Sequence, residues 1–208
     1  TRLQLSNVEI QNYKLGRTVD WRDHVYRSGL RQDYNMSISG KSSRTNYYAS
    51  LGYTNNEGYK VGDSFQTVRA RINLDTDITK WLKIGIAAQF ADRGNKDIVA
   101  DTGNADGMSP YASMYEEDGS IKKYPTDDAR IINPLLTHSV DKKFYKTQTL
   151  NSTIYGRITL PYGFSYQTNF NVRYGWRKQY YYKSDERPSI SKGGEASRDE
   201  YSDYELVG

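Results

Sequence analysis

The sequence predicts an all-β fold: an antiparallel meander of about six strands that forms part of a transmembrane β-barrel, with its long loops gathered at one end. Three observations predict it. First, apolar and polar residues alternate with a period of two through segment after segment from Asp33 onward; this is the repeat of a strand with one greasy face, not of a helix. Second, the composition supplies too few apolar residues for a large dry globular core. There are 20 Tyr and 3 Trp in 208 residues, yet only 36% of residues are hydrophobic and the mean hydropathy is −0.86. A barrel wall needs apolar side chains only at alternate positions, over a band about 25 Å tall, while its loops and lumen are polar. Third, the connections alternate short and long. In a meander this puts every short turn at one end of the sheet and every long loop at the other, the asymmetry of outer-membrane barrels.

Residues 1–32 read as an irregular lead-in. Trp21 to Arg27 predicts a short helical turn with Asp20 as N-cap, with Trp21, Val25 and Tyr26 on its apolar side and Gly29 at its end. Residues 33–92 hold four strands. Tyr34, Met36 and Ile38 share one face of the first, and Tyr47, Ala49, Leu51 and Tyr53 one face of the second. Val68, Ala70, Ile72 and Leu74 oppose Arg69, Arg71 and Asn73 in the third. Leu82, Ile84, Ile86, Ala88 and Phe90 oppose Lys83, Gly85, Ala87 and Gln89 in the fourth. Trp81 opens that strand with the polar parity, so a place in an aromatic girdle requires a turn position or a bulge.

Residues 93–145 carry no period and seven Gly or Pro breakers, from Gly94 to Pro134. Loops this long in compact proteins are functional or disordered. Met108, Met114, Ile131, Ile132, Leu135 and Leu136 offer apolar anchors, which favours a packed loop over the barrel mouth. Tyr111, Tyr115 and Tyr124 suit stacking on sugar rings, and Asp106 suits accepting hydroxyl hydrogen bonds. These four are the candidate substrate- or partner-binding residues, although tyrosines in a loop also serve simply to pack it.

Residues 146–183 hold two more strands joined at Pro161-Tyr162-Gly163. The second alternates without a break from Phe164 to Trp176, about thirteen residues where soluble strands average 5–6 and a tilted membrane strand needs about 9–11. Phe164, Tyr166, Phe170, Val172 and Trp176 are therefore expected to face lipid. Asn169, Asn171 and Arg173, with Arg69 and Arg71, are expected to face the lumen. Residues 184–208 read as loop to Asp203 followed by the start of a strand, and the whole as an internal fragment of a longer protein, with neither an initial Met nor a secretory signal.

Other chemistry is thinly represented. No Cys is present, so no disulfide or thiolate chemistry is available. The net charge of +4 is spread along the chain, which argues against nucleic acid. Gly40-Lys41-Ser42 ends like a phosphate-binding loop, but Asn35 stands where that motif requires Gly. His24 and His138 are the only histidines, and the carboxylates between Asp97 and Asp128, among them Asp101, Glu116, Glu117 and Asp118, lack fixed catalytic or calcium-loop spacing. No enzyme activity, metal or cofactor is expected.

Particular stretches resemble a known family. Asp20-Trp21-Arg22-Asp23, Tyr34 to Gly40, Thr45 to Tyr53, Asn56-Glu57-Gly58, Ala70 to Asp75 and Lys80 to Gly85 resemble, in order and spacing, the start of the barrel in SusC/RagA-type TonB-dependent outer-membrane transporters. The resemblance is dense over residues 20–92; beyond, only the strand rhythm matches. It implies energised import of glycans or peptides across the bacterial outer membrane, with a SusD-like surface lipoprotein and the TonB system as partners. It also implies a plug and further strands outside this chain. Arginines of the polar parity then pair with neighbouring strands or the plug, or attract an acidic substrate. The rival readings are a soluble extracellular β-sandwich that binds glycans or acts as an adhesin, and, further off, a secreted glycan hydrolase domain.

Overall fold

The structure, a computed structural model, describes residues 5–95, 97–188 and 190–207. Residues 1–4, Lys96, Ser189 and Gly208, which fall within the expected segments 1–32, 93–145 and 184–208, lie outside the described residues. Seven strands follow one another in a single antiparallel sheet: β1 Leu30–Lys41, β2 Thr45–Glu57, β3 Ser64–Asp77, β4 Leu82–Asn95, β5 Lys142–Thr159, β6 Ser165–Lys183 and β7 Glu195–Val207. Four helices of five to nine residues lie between or before them: α1 Asn7–Leu15, α2 Trp21–Val25, α3 Thr102–Asp106 and α4 Leu136–Val140. Among the described residues no helix is long and apolar enough to cross a membrane.

The differences from the sequence expectation have local causes. β7 begins at Glu195, inside what reads as loop to Asp203, so the strand expected to start after Asp203 starts well before it. Its first half, Glu-Ala-Ser-Arg-Asp-Glu, is polar on both parities, so no greasy face announces it. α1 is hidden for a similar reason: Asn-Val-Glu-Ile-Gln-Asn-Tyr-Lys-Leu has no apolar stripe. Its end signals are nevertheless complete, a capping box of Ser6 with Glu9 and a left-handed Gly16. α2 closes at Tyr26 rather than Gly29, because Tyr26 turns extended and bridges Lys60. Trp81 sits in the β3–β4 turn just before the strand, so its parity constrains nothing.

The register fixes the two faces. Met36, Leu51, Ala70, Phe90, Leu150, Tyr174 and Tyr204 are successive cross-strand partners through all seven strands. The adjacent row, Ser37, Ser50, Arg71, Gln89, Asn151, Arg173 and Glu205, lies on the other face. Partners opposite one another share a face, so the alternation seen strand by strand becomes one apolar and one polar surface.

The short turns also step down the sheet. The last pair of β1–β2 is Lys41 with Asn46, in the row of Asp75. The last pair of β3–β4 is Asp77 with Lys83, two residues lower, in the row of Arg157. The last pair of β5–β6 is Thr159 with Ser165, two residues lower again. One residue per strand is about 3.3 Å of descent for about 4.8 Å of width, so the strands lean about 35° from the perpendicular to the line of turns, the tilt of membrane-barrel strands.

Among the described residues, neither face of the sheet has a covering layer. Met36 is 73%, Ile38 63% and Ile72 55% exposed. The buried cluster lies elsewhere, at the long-loop end, and comprises Trp21, Val25, Ala100, Ala105, Ala112, Met114 and Leu135.

Candidate functional site

The long-loop end carries a packed cap. Asn95 pairs with Tyr145 across β4 and β5, so the intervening segment leaves and rejoins the sheet at facing positions. It folds back on the lead-in. The Trp21 Nε1–H donates to the Ser109 carbonyl (2.9 Å), the Val19 N–H to the Pro110 carbonyl (2.8 Å), and the Asn12 amide to the Tyr111 carbonyl (2.8 Å) and Ser113 Oγ (2.9 Å). The β2–β3 loop joins them: Val61 N–H donates to Val25, and Ala100 N–H donates to Val61, each at 2.9 Å. Inside the segment, buried Asn133 donates to the carbonyls of Met114 (2.9 Å) and Lys122 (3.0 Å) and accepts from the Leu135 N–H (3.0 Å). An amide satisfied on both sides pins three stretches of backbone at once.

Of the expected anchors, Met114, Leu135 and Leu136 are buried and Met108 packs against the cluster. Ile132 is half-buried and Ile131 is exposed. The expected binding residues do not converge. Asp106 forms an ion pair with Arg22 (3.1 Å) beside a groove of about 490 Å³ lined also by Trp21, Met108 and Pro110. Tyr111 packs edge-on against Tyr13, with ring centres 5.3 Å apart. Tyr115 is exposed and lines a separate groove beside α1 with Glu116 and Lys122. Tyr124 is half-buried under the Lys123 ammonium. Nearby, the Arg130 guanidinium holds the Asp128 carboxyl down to about 2. His138 takes part in packing, its Nδ1 2.6 Å from the Ile98 carbonyl. Among the described residues no three metal-ligating side chains come together.

Below the cap, the polar face ends in a groove of about 610 Å³ lined by Phe65, Thr67, Arg93, Tyr145, Thr147 and Gln179, among others. Arg93 lies 4.3 Å from the centre of the Phe65 ring. The sequence does not single these residues out: Phe65, Thr67, Arg93, Tyr145 and Gln179 lie where β3, β4, β5 and β6 run beyond the hydrophobic alternation. Their signal is that they continue the polar parity beyond it. Lower on this face, Arg69 donates to Thr54 Oγ1 (2.8 Å) and lies 3.8 Å from Asp33. Arg71 lies over the Tyr48 ring, Asn171 accepts from the Thr153 hydroxyl (2.8 Å), and Asn169 accepts from the Gln167 amide (2.9 Å). Arg173 stands opposite Glu205. Tyr166, Phe170, Val172 and Trp176 occupy the other, apolar face, and Phe164 caps the turn before β6.

A third element ties the cap to the sheet. The Asp141 side chain is fully buried and accepts from the Tyr181 hydroxyl (2.8 Å), the Ser184 N–H (3.0 Å) and the Arg187 guanidinium (2.8 Å). It holds the β6–β7 loop against the end of α4.

No family model matches the chain. It is 29% identical over 174 residues to TonB-dependent receptor P3 of Formosa agariphila, covering 77% of this chain and 17% of that protein. It is 35% identical over 104 residues to TonB-dependent receptor SusC of Bacteroides thetaiotaomicron, covering 48% of this chain and 10% of that protein. Among solved structures, the RagAB peptide importer in its closed–closed state superposes with a TM-score of 0.75 at 20% identity, over 91% of this chain and 22% of that one. The open–open state gives a TM-score of 0.70 over 98% of this chain and 26% of that one. The chain thus spans less than a fifth of the curated relatives.

Proposed function

We propose that this chain, a segment of SusC/RagA type, is a stretch of barrel wall with its mouth loops in an outer-membrane, TonB-dependent importer of glycans or peptides that works with a SusD-like surface lipoprotein. The observation that carries the proposal is the uncovered apolar face, continuous through seven tilted strands, beside a polar face that ends under a packed cap. An uncovered apolar sheet of this size is an association surface in water, but in a bilayer it is a solvated one. In this reading the apolar face meets lipid, the polar face lines the lumen, and the cap stands outside the cell, where it meets substrate or the lid lipoprotein. The relatives' names support the transporter class. Of the two cargo classes, the RagAB importer carries peptides.

Replacing residues 103–128 by a short Gly/Ser linker in the whole protein tests the role of the cap. Loop shortening of this kind is thermodynamically mild, so the barrel should still assemble. Uptake of labelled oligosaccharides or oligopeptides and co-isolation of the lipoprotein should both fall. If both are unchanged, the cap is decoration.

A further inference from the structure

The apolar face of β5–β7 does not simply end; it becomes basic and aromatic. Its last row before the change is Gln148, Trp176 and Ser202. Above it on the same face come Lys146, Lys178 and Glu200, then Phe144, Tyr180 and Arg198, then Lys142, Tyr182 and Ala196. The cations sit among rings: Lys178 Nζ is 5.7 Å from the Trp176 ring centre and 5.0 Å from that of Tyr180, Arg198 is 5.3 Å from Tyr180, and Phe144 packs on Tyr180 at 5.9 Å. Glu200 lies 2.9 Å from both Lys178 and Arg198 and accepts from the Tyr180 hydroxyl at 2.8 Å, while Asp92 pairs with Lys146 at 2.9 Å. Lys142 is exposed and makes no ion pair among the described residues. At the lower end of this patch two carboxylates, Asp92 and Glu200, therefore face three cations, Lys146, Lys178 and Arg198, while Lys142 stands two rows above Lys146.

The height of the patch identifies its surroundings. The Lys146–Lys178 row stands about 5 Å above the last row of the apolar face, after allowing for strand tilt, inside a headgroup layer about 5–8 Å deep. We propose that this patch binds the phosphate of an anionic lipid headgroup in the outer leaflet. The inference rests on the reading that the apolar face meets lipid and the cap lies outside. The rings fix the ammonium and guanidinium groups, and Arg198 offers its fork to phosphate oxygens. The cleft between these strands is shallow, about 310 Å³, and encloses no anion by itself. The lipid's acyl chains, lying on Trp176, Tyr174 and Leu150 below, supply the second anchor that free phosphate lacks.

Native mass spectrometry of the whole barrel in neutral detergent, with monophosphoryl lipid A or its dephosphorylated form added, tests the site. The phosphorylated lipid should be retained selectively, and inorganic phosphate should not displace it. Lys146→Gln should lower retention by about 5-fold, and Lys178→Gln with Arg198→Gln by roughly 30-fold, the effect of one and two cations near the headgroup plane. Equal retention of the two lipids, unaltered retention in both variants, or displacement by inorganic phosphate overturns the proposal. A nitroxide at Val172→Cys in the bilayer separates the two levels. If it reports lipid while phosphate selectivity is absent, only the headgroup site falls. If it reports water, the facing itself falls.

Discussion

Tyr155 crosses a neighbouring strand to reach Asp75, and this is possible only because Gly85 lies beneath it. A Cβ at Gly85 would meet the Tyr155 ring, and the Tyr155 hydroxyl donates to Asp75 across β4. Gly85→Val should therefore push the ring off the polar face and cost about 1–3 kcal/mol, through lost packing and an unmade hydrogen bond. Urea titration of the purified barrel reads this; a midpoint equal to that of the parent protein counts against the contact. On the opposite face the deciding quantity is the cost of charge in hydrocarbon, about 2–4 kcal/mol for Arg at the midplane. Phe170→Arg should cut the yield of heat-modifiable, folded barrel far more than Asn171→Arg, one residue away on the polar face. Equal losses on gels would refute the facing.

At the scale of elements, the connections hold the packed cap and the strands carry it. Asp141 is the clasp of the β6–β7 loop. Asp141→Ala removes the acceptor for three donors and should weaken the loop's attachment by about 1–3 kcal/mol, exposing Lys192 in that loop to trypsin while β5 and β6 stay protected. Unchanged digestion would show that the loop is held by other contacts. The sides of the membrane are equally testable. Single cysteines at Ser42, Asp77 and Tyr162 should stay unlabelled by an impermeant thiol reagent on whole cells, and one at Tyr115 should react; the reverse pattern inverts the orientation. The elements differ in how plainly the sequence announced them. β1 to β6 were legible because each has a greasy face within the apolar band. β7 and the upper ends of β4 and β5 were not, because above that band neither parity is constrained. The cap's existence was legible from its breakers and its Met114, Leu135 and Leu136 anchors. Its partners were not, since Asn12, Ser109 and Val61 are distant in sequence and join through backbone carbonyls that no side-chain pattern records.

At the scale of the whole molecule, the turn stagger, the sheet order and the segregation of faces are three consequences of one arrangement, a tilted wall with one apolar and one polar face, which the proposed function sets between lipid and a lumen. The expected binding residues Asp106, Tyr111, Tyr115 and Tyr124 spread over the cap rather than forming one pocket. This fits a broad contact surface better than a single-ligand site, and residue type in a loop could not reveal it, because spacing along a loop fixes no geometry. The segregation of faces is the central claim, and β6 tests it most directly, being the longest strand at 19 residues. A nitroxide scan from Ser165 to Arg177 of the whole protein in lipid bilayers measures accessibility to dissolved oxygen and to a water-soluble relaxation agent. The account predicts a period of two, with oxygen maxima at Tyr166, Thr168, Phe170, Val172 and Tyr174 and aqueous maxima at Gln167, Asn169, Asn171 and Arg173. Equal aqueous access on both parities along the strand would contradict it.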